Sequence, residues 1–281
     1  MAEAKRTSIL ALYDCETGET TELARFPERI EAPFFRTQTE LFYNARGRIF
    51  CLHTDSGEVE EIPTGECTRC NNDHVFSDDR RRLAVSHSAE GWGSRVYIVE
   101  LGSDRPARLV TPLAPSYLHG WRGDTLLCCS QRNGEYDVYA VSESDGTETR
   151  LTFSPGLNDG PEFSPDGLTI WFCSVRSGNM ECWRMDADGG NPVRLTDNGR
   201  HNWFPHISPD GTRAAYISYR TDEARPDEHP ADRHVQLRLM KPDGSGDRCL
   251  AEFFGGQGSL NVNSWSPDSR FIAFVRYEVG K

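Results

Sequence analysis

Short apolar runs recur along the chain, and most are too brief to be helices. Residues 169–174 (Thr-Ile-Trp-Phe-Cys-Ser) are typical: the apolar stretch Ile170 to Cys173 is bounded by polar residues, which predicts a buried strand. Just ahead of it stands Phe163-Ser164-Pro165-Asp166-Gly167. Pro165 suits the first central position of a tight turn, and Asp166-Gly167 tolerate the dihedrals that follow. Strand, turn and strand are therefore predicted. The unit returns as His206-Ile207-Ser208-Pro209-Asp210-Gly211 and as Ser264-Trp265-Ser266-Pro267-Asp268-Ser269. Looser copies are Phe76-Ser77-Asp78-Asp79 and Gly120-Trp121-Arg122-Gly123-Asp124.

The bulky residue before each turn marks the period. Phe35, Phe76, Trp121, Phe163, Ile207 and Trp265 are separated by 41, 45, 42, 44 and 58 residues, the last interval being lengthened by an insertion at 221–234. Six repeats of this length, each holding four short strands, predict an all-β, six-bladed β-propeller with four-stranded antiparallel blades. Gly-rich turns such as Asp186-Ala187-Asp188-Gly189 separate the third and fourth strands of a repeat. One domain over 1–281 is expected, with blades at 30–63, 72–111, 117–152, 159–196, 203–251 and 261–278. The last blade has only two strands of its own. Residues 7–25 read as the missing third and fourth strands, so the N-terminus is expected to close the ring and remove an exposed sheet edge.

Strand order then fixes the faces. The Ser-Pro-Asp-Gly turns fall on one face, and the start of each innermost strand falls on the other, at the mouth of the central channel. Four residues before the markers stand Glu31, Asn72, Tyr117, Asp159, Trp203 and Asn261. Nearer the markers are Asp73, His74, His119 and His206. Loops at 86–95 (His87, Glu90, Trp92), 221–234 (His229, His234) and 254–259 (Gln257) are expected on the same face, where variable loops over rigid strand ends commonly host function. Glu31, Asn72, Asp73, Tyr117, Asp159, Trp203, Gln257 and Asn261 are the candidate ligand-binding residues. His74, His119 and His206 are candidate ligands for a divalent ion: manganese, calcium or zinc. Tyr117, Trp203 and Trp92 would offer stacking surfaces. Arg132, Arg176 and Arg220, near the ends of second strands, would either clamp a carboxylate or pair with acidic neighbours.

Charge narrows the partners. The chain carries 31 Lys+Arg against 43 Asp+Glu, a net charge of -12, which argues against nucleic acid, whose recognition needs a basic face. No stretch approaches the ~20 apolar residues of a membrane helix. The apolar run at 8–13 is shorter than a signal-peptide core, so a cytoplasmic protein is expected. The nine cysteines are odd in number, and most lie in apolar runs, as buried thiols in a reducing compartment do. Cys67 and Cys70 form a lone C-x-x-C with His74 nearby, which reads as a loop with two thiols because no second pair completes a zinc site.

The Ser-Pro-Asp-Gly units, with Arg150-Leu151-Thr152 and Arg194-Leu195-Thr196 closing the outermost strands, resemble the TolB-like (PD40, WD40-like) propeller repeat. Asn71-Asn72-Asp73-His74, His119-Gly120-Trp121, Asn158-Asp159-Gly160-Pro161, Asn202-Trp203-Phe204-Pro205-His206, His229-Pro230 and Gly255-Gly256-Gln257-Gly258 look like a narrower set of small, stand-alone, six-bladed bacterial members. Oligogalacturonate lyase is similar in its repeats. That family holds manganese with histidines and a glutamine near the axis, and the likeness implies such a role for His74, His119, His206 and Gln257. Prolyl oligopeptidases share the propeller, but no Gly-x-Ser-x-Gly elbow occurs here. Three functions stay open: binding of a small polar ligand, an acidic saccharide among the candidates; metal-dependent carbohydrate lysis or hydrolysis; and docking of a protein partner.

Overall fold

The computed structural model describes residues 6–91 and 93–280. The chain opens with β1 (Arg6–Asp14) and β2 (Thr20–Phe26). Four-stranded sheets follow. The first holds β3 (Glu31–Phe35), β4 (Glu40–Ala45), β5 (Arg48–His53) and β6 (Val59–Ile62). The second holds β7 (Cys70–Phe76), β8 (Arg82–Ala89), β9 (Gly93–Glu100) and β10 (Arg108–Leu109). The third holds β11 (Ser116–Arg122), β12 (Thr125–Gln131), β13 (Tyr136–Ser142) and β14 (Glu148–Arg150). The fourth holds β15 (Asn158–Phe163), β16 (Thr169–Ser174), β17 (Glu181–Asp186) and β18 (Val193–Arg194). The fifth holds β19 (His201–Ile207), β20 (Ala214–Tyr219), β21 (Arg233–Met240) and β22 (Arg248–Gly255). A 3-10 turn, Gln257–Ser259, leads to β23 (Phe271–Val279), which pairs with β1 to give the order β2-β1-β23.

The result is an all-β, six-bladed propeller closed by the N-terminal strands, with β1 as the middle strand of its sheet. In the last blade the expected innermost strand at 261–265 is reduced to a single bridge, Trp265 to Ile272. The preceding 3-10 turn and the bonding of Asn261, Asn263 and Ser264 across the channel take the place of a ladder. No helix of the described residues is long and apolar enough to cross a membrane. All nine cysteines are free, and most are buried.

The repeat residues act as the sequence suggests. In blade four, Ser164 Oγ donates to Asp166 Oδ1 at 2.6 Å, while Leu168 and Thr169 backbone N–H groups bond back into the turn. Gly167 takes a left-handed φ of 75°; Arg80 and Ser269 hold the matching places with φ 56° and 62°. The Arg-Leu-Thr motifs fasten neighbouring blades. Buried Glu181 accepts from Thr196 Oγ1 at 2.5 Å, Arg194 at 3.0 Å and Asn202 Nδ2 at 2.7 Å. Asn202 starts the next innermost strand, so a single carboxylate ties two strands of one blade to the next. Asp137 repeats the arrangement with Thr152, Arg150 and Asn158. Apolar side chains fill the gaps between blades, as Trp171, Ile207 and Tyr216 do between the fourth and fifth.

The innermost strands are not regular. Each of the five carries a bulge: between Glu31 and Phe34, Cys70 and His74, Leu118 and Gly120, Asp159 and Glu162, and Trp203 and His206. Ala32, Gly160 and Phe204 in these bulges have φ of 52°, 59° and 54°. A bulge changes which side chains face the channel.

Candidate functional site

The starts of the innermost strands open into a cavity of about 800 Å³ at one mouth of the channel. Its floor is made by Asp73, His119 and Asp159 from three successive blades. Its walls are Tyr117 and Tyr136, with ring centroids 6.3 Å apart, and the Pro226, Asp227 and His229 segment of the insertion. Asn71 and Gln257 complete the rim and also border a neighbouring cavity of about 540 Å³.

His119 organises the floor. Its Nε2 lies 3.2 Å from Asp159 Oδ1 and 3.9 Å from Asp73 Oδ1. Its ring stacks on Phe204 at 5.9 Å. Phe204 is fully buried and holds a backbone conformation that bulky side chains rarely adopt, a strain retained only where surrounding structure enforces it. Gly160 in the next bulge also needs its identity: a Cβ there would sit 2.8 Å from the Phe204 ring. The two carboxylates are supported differently. Asp73 accepts from Asn71 Nδ2 at 2.6 Å and Asn261 Nδ2 at 2.8 Å. Asp159 Oδ2 is 3.9 Å from His229 Nε2.

These surroundings split the protonation behaviour of the three groups. Burial would raise Asp159, but the His119 bond and charge and the His229 charge outweigh it and hold the carboxyl well below the usual range. Burial dominates at Asp73, with Asp159 adding to it, and lifts its carboxyl despite His119 and Asn261. His119 would be lowered by burial, yet the carboxylates around it, Asp73 first, raise it. His119 thus holds its proton more firmly than a free imidazole, between a firm anion and a carboxyl that takes a proton more readily, a pairing suited to both donating and accepting hydrogen bonds. Burial also pushes Tyr117 up to about 12, so its hydroxyl stays a donor.

Beneath this floor lies a smaller cavity of about 290 Å³, which His119 also borders. Glu162 and Asn263 line it. His206 Nδ1 is 2.6 Å from Glu162 Oε2, and Asn263 Nδ2 donates to Glu162 Oε1 at 2.6 Å. His74 Nε2 donates to the Ala32 carbonyl at 2.9 Å. The three histidines do not converge. Among the described residues they belong to no group of three or more ligating side chains within reach of one ion. The three sit on different blades and each is held by its own partner, so the donor set expected for manganese, calcium or zinc does not fit.

Other expectations change as well. Trp203 is fully buried and packs edge-on against His229 with ring centroids 4.5 Å apart, so it supports the insertion rather than offering a stacking face. Asn261 is also fully buried and acts through Asp73. Glu31 and Asn72 line the neighbouring cavity, not the main one. Tyr117, Asp73, Asp159 and Gln257 stand where a ligand would meet them. Residues 86–95 are largely hairpin, since β8 and β9 run to Ala89 and from Gly93; His87 accepts the Arg69 N–H. Trp92 lies outside the described residues. Arg132 is bidentate to Glu148, Arg176 bonds Ser174 and Asn158, and Arg220 pairs with Asp222. None of these arginines lines the cavity, and its described lining holds Asp73, Glu135, Asp159 and Asp227 without a lysine or arginine. Glu135, Asp227 and His229 come from loops between second and third strands, and Tyr136 is the first residue of β13; of the four, the sequence points to His229 alone, in the 221–234 loop.

Burial holds His74 neutral, with its pKa pushed down to about 4. In the unfolded chain a histidine takes its proton near 6.5. The stability supplied by keeping His74 unprotonated is therefore complete above about pH 6.5 and falls as the pH drops toward 4, by about 3 kcal/mol in all. Urea unfolding of the wild type and His74→Gln at pH 7 and pH 4.5 checks this. The wild type should lose about 2 kcal/mol more than the variant between the two; equal losses would contradict it.

The profile of the TolB beta propeller domain (PD40) matches residues 111–275. An uncharacterized protein of Agrobacterium fabrum is 38% identical over 274 residues, covering 96% of this chain and 92% of that one. The chain belongs to the TolB β-propeller family. A solved structure from Agrobacterium tumefaciens, assigned provisionally to TolB, superposes with a TM-score of 0.92 at 36% identity and covers 97% of this chain and 99% of that chain. TolB of Acinetobacter baumannii gives 0.66 at 19% identity, covering 85% of this chain and 62% of that one. Oligogalacturonate lyase in complex with manganese gives 0.55 at 16% identity, covering 90% and 75%. At such identities the likeness of these two structures to the chain is one of fold alone.

Proposed function

We propose that this TolB-family propeller binds a small polar ligand in the mouth of its channel, and that the ligand is neutral or cationic: a hydroxyl-rich or amine-bearing molecule such as a neutral or amino saccharide. The observation that carries the reading is His119 pinned between Asp73 and Asp159 on the floor of an 800 Å³ cavity walled by two tyrosines. Concave sites with a few convergent polar groups are the usual seats of small ligands, and strongly perturbed titratable groups cluster there. Asp73 and the outer oxygen of Asp159 accept from hydroxyls or amines, the tyrosine hydroxyls donate, and the aromatic faces stack on a sugar ring. An acidic saccharide is disfavoured because the lining brings four carboxylates and no guanidinium or ammonium group to meet it.

The likeness to the manganese-bound lyase is one of fold, and the separated histidines favour the binding reading over a metal-dependent lyase or hydrolase. A thermal-shift panel of neutral, amino and acidic sugars, polyols and amines tests the class. Neutral or amine-bearing compounds should raise the melting temperature of the wild type, and Tyr117→Ala should weaken binding by about tenfold, as lost aromatic stacking does. Stabilisation by acidic sugars alone would overturn the charge argument; shifts that survive Tyr117→Ala and Asp159→Asn would move the ligand elsewhere.

A further inference from the structure

A second cluster of ligating side chains lies far from the channel, on the outer half of the first blade. Cys51 and His53 alternate along β5, so both leave the same face of the sheet. The ladder places Glu60 of β6 directly opposite Cys51, and Glu40 of β4 directly opposite His53. The ligand atoms of Cys51, His53 and Glu60 all lie within 4.8 Å of one another. His53 Nε2 stands 3.2 Å from Glu60 Oε1. The sulfur is fully buried at the base, while the His53 and Glu60 side chains are 29% and 55% exposed, so an ion has a route in from solvent.

We propose that Cys51, His53 and Glu60 form a zinc site, with water or Glu40 completing a tetrahedron. One thiolate, one imidazole and one carboxylate are a donor set that favours zinc over magnesium or calcium, which take oxygen ligands. Two ligands come from adjacent same-face positions of one strand and the third from its paired neighbour, so the backbone ladder already fixes their relative placement. A cysteine binds zinc as the thiolate. Binding therefore releases the thiol proton to solvent and strengthens as the pH rises. The structural effect is local: the ion pins β6, an exposed outer strand of only four residues, to β5 beneath it.

Cobalt titration of chelator-treated protein reads the site directly, because a cobalt–thiolate bond gives a charge-transfer absorption and a four-coordinate ion gives intense visible bands. One equivalent of cobalt should produce both, and zinc should displace it. Cys51→Ala should abolish the thiolate band, His53→Ala should weaken binding by about tenfold or more, and Cys249→Ala, at an exposed thiol elsewhere, should leave the spectrum intact. Zinc at about a hundred times its Kd should raise the melting temperature by roughly 5 °C in the wild type and not in Cys51→Ala. Absence of the band in the wild type, or its survival in Cys51→Ala, overturns the proposal. Should Cys51→Ala fail to fold, the double variant His53→Ala/Glu60→Gln, altered only at partly exposed positions, decides: undiminished cobalt affinity there overturns it equally.

Discussion

Removing residues 1–25 is expected to abolish cooperative unfolding. These residues supply β1 and nearly all of β2, and β1 is not an appendage: it lies between β23 and β2, paired with β23 along nine consecutive positions from Arg6 to Asp14. Ile9, Leu10 and Ala11 within it are fully buried. A buried Ile or Leu side chain contributes about 1.5–3 kcal/mol. The truncated chain also leaves β23 as a bare edge and opens the ring between the first and last blades, where Leu10, Leu41, Tyr43 and Val275 pack together. The sum exceeds a large part of the ~5–15 kcal/mol that holds a domain together. Calorimetry of the truncated protein checks it; a single sharp transition at the wild-type temperature would show that the ring does not need its N-terminal closure.

The second large effect is expected at Glu181. Its carboxylate is fully buried and receives Thr196, Arg194 and Asn202. Glu181→Ala leaves the Thr196 hydroxyl and the Asn202 amide without this acceptor against a cavity and leaves Arg194 with Asp197 as its remaining carboxylate, and breaking a buried pair from one side costs about 3 kcal/mol or more. For a chain of this length that corresponds to a fall of about 10 °C in melting temperature. Glu181→Gln, which keeps a hydrogen-bonding side chain, should lose less. Arg25→Ala offers the contrast: its partners Glu22 and Glu278 are exposed, and the change should cost under about 1 kcal/mol. If Glu181→Ala melted within a degree or two of Arg25→Ala, the blade-to-blade tie would not be what it is taken to be.

The fold was legible because the residues that announce it do one job each. Ser164, Asp166 and Gly167 build a turn that few other residues can build, and Phe163 before them ends its strand as the period requires. The period survives in weak copies since Ser77 and Asp79 still form the same bond. The candidate site was half legible. A row taken four residues before each marker finds Tyr117 and Asp159 at the cavity. It also picks Trp203, which turns into the core. The reason is the bulge inside each innermost strand, which displaces the facing residues by different amounts, so that Asp73, His119 and Asp159 meet from three different offsets. No alternation of polar and apolar residues records where a bulge falls. Glu135 and Tyr136 escaped for another reason: they stand where the loop after β12 meets β13, and the reach of such a segment over the channel depends on tertiary packing, as that of the 221–234 loop does through the contact of His229 with Trp203 and Phe204.

The floor of the cavity also explains why burying so many ionisable groups near one axis is tolerated. His119 gives Asp159 and Asp73 a shared counter-charge, and Asn71 and Asn261 supply donors to the second carboxylate. Buried charges persist when they are paired and hydrogen-bonded in this way. A ligand amine or hydroxyl would enter a field already arranged for it, which limits the reorganisation that binding demands.

Calorimetric titration tests whether this floor holds the ligand. The compound that most raises the melting temperature of the wild type is titrated calorimetrically into wild type and Asp159→Asn at pH 7. Removing the anion beside His119 should weaken binding by about tenfold or more, the worth of a hydrogen bond to a charged group. Unchanged affinity in Asp159→Asn would contradict the account.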